Sequence, residues 1–433
     1  MDITEALITA IIFVLTLCFL FFFFRLTKHG ERTSRVHLSV HQGENSKEIL
    51  PDDVIAHIFS SLPAKSVARC RCVSKYWCDK LKDPNFINMH LQQCIISERF
   101  NCFSINDASE FYLHISKSSS LSVFEDDYRE EPVEMDSPHK SQVFQSRHIQ
   151  CYDSLNGLIL MRSINFATKE EVLCLWNPTT KELKDIKVPK VDSYHSFDGP
   201  AYGFGYKSGI DDYIIVKANN VCFYDGSLGY EVCTGCAVQM YALRSDSWRR
   251  LPDNIPYRIV SPKAAVSTND GVFLHWIAEQ TPCQTDSLGR EVVVSFDIFD
   301  ENFREVPLSP QVDGLVCNTN NKTTLGVLAG CLCITHFGDY NIEVWTMKDY
   351  NVKDSWTKLL VAELPIERHL WYMKLLWKLK NGEVLFIAKT GYDDVCFFMY
   401  DPVHHRSKVA KFHHHLGART GIHTYVESLV ALR

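Results

Sequence analysis

The chain has 433 residues, of which 46% are apolar, 22% charged and 12% aromatic, the composition of an ordinary folded protein long enough for two or three units. A formal net charge of −7 with no extended basic run excludes a general nucleic-acid binder, which must neutralise phosphates with a basic surface. The 16 cysteines are scattered without regular spacing; many sit in apolar runs, as Cys174 and Cys396 do, and read as small buried hydrophobes in a reducing compartment rather than as a disulfide framework.

Residues 6–24 (ALITAIIFVLTLCFLFFFF) carry no charge, and as a helix they would span about 28 Å, close to the thickness of a bilayer core. Arg25, Lys28, Arg32 and Arg35 follow this segment, whereas Asp2 and Glu5 precede it. Basic flanks stay cytoplasmic, so a membrane helix over 1–25 would leave the bulk of the chain in the cytosol. An acidic start and the absence of a small-residue cleavage site argue against a cleaved leader. Residues 26–47 are polar and read as a linker.

Residues 48–93 change to helical punctuation. Pro51 suits a first helical position, with Asp52 and Asp53 in the first turn. Val54, Ile55, Ile58, Phe59 and Leu62 recur at helical spacing, and Pro63 ends the run. A second short helix carries Val67, Ala68 and Cys72. Ser74 caps a third that presents Trp77 and Leu81, and Asp83 followed by Pro84 opens a fourth. A unit of this size buries too little surface to stand alone, and its apolar residues cannot all face one small core, so a partner is expected to cover part of it.

The text of this segment, an LP pair, IFSSLP, KSVARCRCVSKYW and then DPNF, resembles an F-box over the whole motif. The resemblance implies docking on a Skp-family adaptor, which joins a cullin scaffold and a RING subunit. Carried over residue by residue, the adaptor contacts would be Leu50, Pro51, Val54, Ile55, Ile58, Phe59, Leu62, Pro63, Val67, Cys72, Val73 and Trp77. Val54 and Val67 stand where leucine is usual, an apolar-for-apolar change.

From about residue 100 the pattern becomes short alternating strands separated by turn residues. One hairpin text returns five times: LCLWNPTTKELKDIKVP, QMYALRSDSWRRLPD, VVSFDIFDENFREVPLSP, IEVWTMKDYNVKDSWTKL and CFFMYDPVHHRSKVAKF. Between these lies a second strand, often opened by glycine, as in SLNGLILMR and DGVFLHWIA. The last four hairpins recur at roughly 50 residues, near the period of kelch-type blades. A single small sheet of this kind leaves a face unburied; stacking the units around an axis removes the problem. The predicted fold class is therefore α+β multidomain: an N-terminal transmembrane helix, a small all-α module over 48–93, and an all-β kelch-like propeller over 100–433 with five or six sheets. Residues 151–409 also resemble the F-box-associated domain of plant F-box proteins, through SLNGLIL, WNPTTKEL, YGFGYKSGIDDYIIVK, YALRSDSWRRL and SFDIFDENFREVPL.

Two resemblances together imply a non-catalytic receptor subunit of a Skp–cullin–F-box ubiquitin ligase, with the β domain holding a protein target. Irregular polar connections over 190–200, 225–235, 280–290 and 318–324 are the expected contact loops. An enzyme is disfavoured, because no G-x-S-x-G, H-E-x-x-H or P-loop occurs. Gly203 and Gly205 form no dinucleotide fingerprint and are expected to ease a turn or bulge. Cys233 and Cys236 lack a second ligand pair for zinc, and the run His413, His414, His415, with His404 and His405 upstream, alternates faces in a strand; no metal or cofactor is expected. A membrane-tethered scaffold without a ligase role is the alternative.

Overall fold

The computed structural model describes residues 52–97, 99–105, 111–115, 133–134, 149–165, 170–189, 199–227, 230–252, 254–260, 264–268, 270–284, 290–317, 322–338, 341–363, 370–378, 382–390, 394–411 and 421–432. Four helices open this region: α1 (Asp52–Ser60), α2 (Ala64–Cys70), α3 (Lys75–Lys80) and α4 (Pro84–Ile96). The third and fourth start where the caps predicted, whereas α1 ends at Ser60, short of Leu62, and α2 ends at Cys70, short of Cys72. The Ser74 side chain accepts from the Trp77 amide at 3.3 Å, and Asp83 accepts from the Asn85 amide at 2.8 Å with Pro84 in the first turn.

Six antiparallel sheets follow, numbered here as blades in chain order. Blade 1 joins the C-terminal strand Gly421–Val426 to Phe100–Ile105, Phe111–Ile115 and Val133–Glu134. Blade 2 runs Ile149–Leu155, Leu158–Asn165, Glu170–Asn177, Glu182–Lys187. Blade 3 is Ala201–Lys207, Asp212–Asp225, Tyr230–Ala242 and Ser247–Arg250. In blade 4 the first strand is split into Tyr257–Ile259 and Val266–Thr268, both paired with Phe273–Gln280, followed by Glu291–Asp297 and Asn302–Glu305. Blades 5 and 6 begin at Thr323–Leu328 and Leu370–Lys378 and end at Trp356–Glu363 and Arg406–Lys411.

Each neighbouring pair of blades encloses its own apolar cluster. Leu160 and Leu175 meet Tyr202 and Phe204 between blades 2 and 3, Val216 and Val238 meet Trp276 and Phe296 between 3 and 4, and Cys333 and Val344 meet Met373 and Phe386 between 5 and 6. Between blades 4 and 5 a fifth helix, α5 (Pro310–Val316), inserts Val312 and Val316. Cys102 against Leu385 and Phe397 joins blade 6 to blade 1, and Phe103 and Tyr425 against Met161 and Trp176 join blade 1 to blade 2. The ring is thereby closed: a propeller, in which stacking hides the second face of every sheet.

The repeated hairpin text has a local cause. Oδ1 of Asn177 accepts from the amides of Thr179 and Thr180, Oδ1 of Asp297 from Phe299 and Asp300, and Oδ1 of Asp401 from Val403 and His404. Four residues after each, Lys181, Glu301 and His405 take positive φ of 61°, 58° and 52° and return the chain to the sheet.

The structure corrects the sequence reading at several points. No helix among the described residues is long and apolar enough to cross a membrane: the 13 residues of α4 reach only about 20 Å, against about 30 Å for a bilayer core. The transmembrane helix is therefore removed from the fold class, and residues 6–24, where the sequence placed it, lie outside the described residues, as does the linker over 26–47. Cysteines 222 and 233 form a disulfide across the long hairpin of blade 3, where they are directly opposed. Residues 230–235, expected in a loop, belong to that hairpin. Cys236 turns away from Cys233 into the core between blades 3 and 4, because the register shifts between Cys233 and Gly235. The histidine run at 413–415 lies outside the described residues.

Gly203 and Gly205 mark no turn or bulge. They lie inside the first strand of blade 3, in unbroken register with its neighbour. A Cβ on Gly203 would sit 2.8 Å from Leu274 Cδ1 and Trp276 Cζ2, and one on Gly205 2.7 Å from the Gly271 carbonyl. They are glycine because blade 4 presses onto them. Gly205→Ala is expected to lower stability by about 1–3 kcal/mol, since its obstacle is backbone, whereas Gly209→Ala, in an open turn, should cost well under 1 kcal/mol. Denaturant unfolding of the two variants checks this; equal effects would refute the packing account.

Candidate protein-docking site

The helical module buries a small core of Phe59, Ala64, Val67, Trp77, Leu81 and Phe86. The Phe59 and Trp77 rings lie 5.0 Å apart. On its outer side α1 leaves Val54 and Ile58 exposed at 40% and 47%, one helical turn apart, and Val73 at 41% extends the same apolar character to the start of α3, beside Tyr76. Pro63 and Cys72 are exposed, while Ile55 and Leu62 are half-buried. Of the residues expected to contact an adaptor, the structure thus brings Val54, Ile58, Pro63, Cys72 and Val73 to the surface and sets Phe59, Val67 and Trp77 beneath them. Leu50 and Pro51 lie outside the described residues.

The other side of the module is tied to the propeller by contacts that the sequence gave no reason to single out. His90 Nε2 donates to the Leu62 carbonyl at 2.9 Å. Because a carbonyl only accepts, this fixes the proton on Nε2 and leaves Nδ1 facing the Cys94 thiol at 3.6 Å. Burial, with the nearby Arg99 and Arg71 charges, lowers the His90 pKa and keeps the ring neutral; burial pushes the Cys94 thiol up to about 11, so it stays protonated and can donate. Arg99, which opens the path into blade 1, donates from Nη1 to the Leu62 carbonyl at 2.8 Å and from Nη2 to the Ser61 carbonyl at 2.5 Å.

The C-terminal tail completes the seam. Glu427 Oε2 accepts from the Ala64 amide at the start of α2, at 3.2 Å. Leu91 and Cys94 of α4 pack on Val426, with Val430 alongside. Asn177 Nδ2 holds the Ser428 and Val430 carbonyls at 3.2 and 2.8 Å. A Cβ on Gly157 would lie 2.2 Å from the Ser428 Cβ, so glycine is required where the tail crosses blade 2. Beside the seam, a cleft of about 680 Å³ runs between α4 and the blade turns, lined by Asn88, Gln92, Tyr206, Asp211, Arg244 and Asp270.

The opposite end of the propeller gathers the irregular connections. Since Phe100 pairs with Val426, the helical module enters at the end that carries the tight turns Asn177–Lys181, 208–211 and 298–301. The strand ends at Lys187 and Ala201, at Asp225 and Tyr230, and at Gln284 and Glu291 all lie at the other end, as do the flanks of 318–321, between α5 and Thr323. The described ends that flank the four connections singled out from the sequence therefore lie at one end of the propeller. On it, the hairpin of blade 3 extends past its neighbours and exposes Phe223 and Tyr224 at 50% and 69%. Among the described residues no group of three or more His, Cys, Asp or Glu is placed to hold a metal.

This far face also holds an unpaired acid. Glu291 and Glu279 are opposed across blade 4, and both are buried. Glu279 is paired with Arg258 at 2.9 Å, whereas no donor among the described residues reaches the Glu291 carboxylate. Burial, reinforced by the Glu279 charge, pushes the Glu291 pKa from 4.5 up to about 7. The folded value lies above the unfolded one, so this group's contribution to stability is full below about pH 4.5 and is lost as pH rises to about 7. Glu291→Gln is expected to flatten that decline and to exceed the wild type at pH 8 by on the order of 1–3 kcal/mol. Unfolding at pH 5 and pH 8 is the measurement; a difference that does not change with pH would contradict the assignment.

Comparison with known proteins agrees with both halves. The model of the F-box domain matches residues 48–88, and that of the F-box associated beta propeller domain matches residues 103–432. Three Arabidopsis thaliana proteins are similar over most of their length. F-box protein CPR1 is 26% identical, covering 73% of this chain and 73% of its own. F-box protein At3g07870 is 28% identical, covering 88% and 91%, and F-box/kelch-repeat protein At3g23880 is 24% identical, covering 79% and 88%.

Proposed function

Because the chain belongs to the F-box proteins of plant type that carry a C-terminal F-box associated beta propeller domain, we propose that it is the substrate-recognition subunit of a Skp–cullin–F-box ubiquitin ligase. Its helical module docks on a Skp-family adaptor, and through it on the cullin and RING subunits. The propeller holds a protein target for ubiquitination on the face away from the module. Bond-making chemistry belongs to other subunits in this reading.

The observation that carries the proposal is the uncovered apolar stripe of Val54 and Ile58 on α1, with Val73 also left exposed ahead of α3. A module of four short helices gains nothing by leaving these side chains in water unless a partner covers them. Pro63 and Cys72 flank the stripe, and Leu50 and Pro51 are assigned to the same contact on the motif. Half-buried Ile55 and Leu62 form its edge. Phe59, Val67 and Trp77 act from beneath, setting the angle of the helices rather than meeting the adaptor with their full surface.

The two groups are separable by experiment. Val54→Asp with Ile58→Asp is expected to weaken capture by a Skp-family adaptor at least tenfold while leaving thermal stability near wild type. Trp77→Ala should lower both, by about 3 kcal/mol or more in stability. Adaptor capture undiminished in the double variant would overturn the contact assignment. An intact chain that captures no adaptor would overturn the ligase reading itself.

A further inference from the structure

At the far face, the apolar core between blades 2 and 3 is topped by charge. Three strands bring it there by plain alternation. Arg162 continues the inward row of Leu158 and Leu160, Glu171 that of Leu173 and Leu175, and Lys217 that of Tyr213 and Ile215. Glu171 Oε1 accepts from Arg162 Nε and from the Tyr202 hydroxyl, the latter at 2.7 Å, and Oε2 accepts from Lys217 Nζ at 2.8 Å. The side chains of Arg162, Glu171 and Lys217 are only 13%, 13% and 4% exposed.

Two cations thus share one carboxylate inside the protein. Glu171 is the one carboxylate among the described residues that bears on either cation. Burial draws the Lys217 ammonium below its ordinary pKa despite the Glu171 charge, which is how an incompletely balanced cation behaves. A cluster that served only to cap the core would need one cation, not two.

The open side is visible in the geometry. Arg162 commits Nε to Glu171 and also reaches the Tyr152 hydroxyl. Its Nη1 and Nη2 each lie 4.0 Å from where a Cβ on Gly199 would stand, the nearest atoms to that point among the described residues outside the glycine and its chain neighbours. Gly199 has φ of 66°, a conformation that favours glycine, and its missing side chain adds no bulk of its own over the guanidinium fork.

We propose that Arg162 and Lys217, held apart and oriented by Glu171, form a seat for an oxyanion, entered past Gly199 and filled by an acidic group of the protein target. The planar fork of an arginine beside a lysine charge suits a carboxylate or a phosphate. That the anion is borne by a target rests on the receptor reading; the seat itself does not.

The probes are inorganic phosphate and acetate, each titrated into the full chain at constant ionic strength against chloride, with the unfolding midpoint as readout. The wild type is expected to show a saturable rise with phosphate. A rise with acetate as well assigns the seat to carboxylates in general, and a rise with phosphate alone assigns it to phosphorylated residues. Lys217→Met leaves a balanced Arg162–Glu171 pair, so it should fold with a midpoint at or above the wild type and respond at least tenfold more weakly. Arg162→Lys, which keeps the charge and loses the fork, should also weaken the response. No response in the wild type beyond that of chloride, or a Lys217→Met response equal to the wild type's, would overturn the seat. Adaptor capture by the same proteins reports separately on the ligase reading: its failure would remove that reading and leave the seat standing.

Discussion

The structure depends on one strand pairing, that of Gly421–Val426 with Phe100–Ile105, which brings the two ends of the β region together over six successive residue pairs. A ring of small sheets has no stable partial form of the same kind, because an unclosed blade exposes a whole apolar face. Once closed, every inter-blade cluster is covered on both sides, and the C-terminal strand becomes the innermost strand of blade 1. The entropic cost of closing a loop of several hundred residues grows only slowly with its length, so one strand and the clusters flanking it can carry it.

The same pairing also places the helical module. Phe100 begins right after the end of α4 and pairs with Val426, so the strand that closes the ring emerges against the module. The tail beyond Val426 then has two roles: its backbone is held by Asn177 of blade 2, and its Glu427 carboxylate caps α2. Arg99 and His90 add hydrogen bonds to carbonyls of the α1–α2 connection. In the proposed receptor role, which sets a target at a fixed distance from the ligase subunits, the chain has to resist bending at this point. A seam of directed hydrogen bonds, with neutral His90 and protonated Cys94 inside it, resists bending better than apolar packing alone, which tolerates sliding.

What the sequence disclosed was what is decided locally. Three of the five hairpins were legible because Asn177, Asp297 or Asp401 closes the turn by itself, and the helical module because its caps and periodicity lie within a few residues of one another. Features decided by distant partners were not legible. Gly203 and Gly205 look like turn residues until Leu274, Trp276 and the Gly271 carbonyl are set against them. Cys222 and Cys233 look like scattered thiols until a long hairpin opposes them. The helix α5 has too short a period to be read, and the split first strand of blade 4 reads as two unrelated apolar fragments. The membrane helix is the converse case: hydropathy over 6–24 is a property of that text alone, and nothing in the described fold rests on it. In the helical module, spacing marked the apolar residues and could not say which side of α1 faced outward; the burial of Phe59 and Trp77 against the exposure of Val54 and Ile58 decides that.

The two ends of the propeller are built from different chemistry, and the ring explains why they can be. Tight turns at the module's end are pinned by Asx side chains and by the tail, which leaves little room for variation. At the far end charge is left at a cost in stability that the six inter-blade clusters absorb. The second cation beside Glu171 and the Glu291 carboxylate, which no donor among the described residues reaches, lie at that end. Folding alone would favour removing them, since a charge buried without its counterpart is destabilising. Their common position, at the end away from the seam, is what the proposed anion seat accounts for and packing does not.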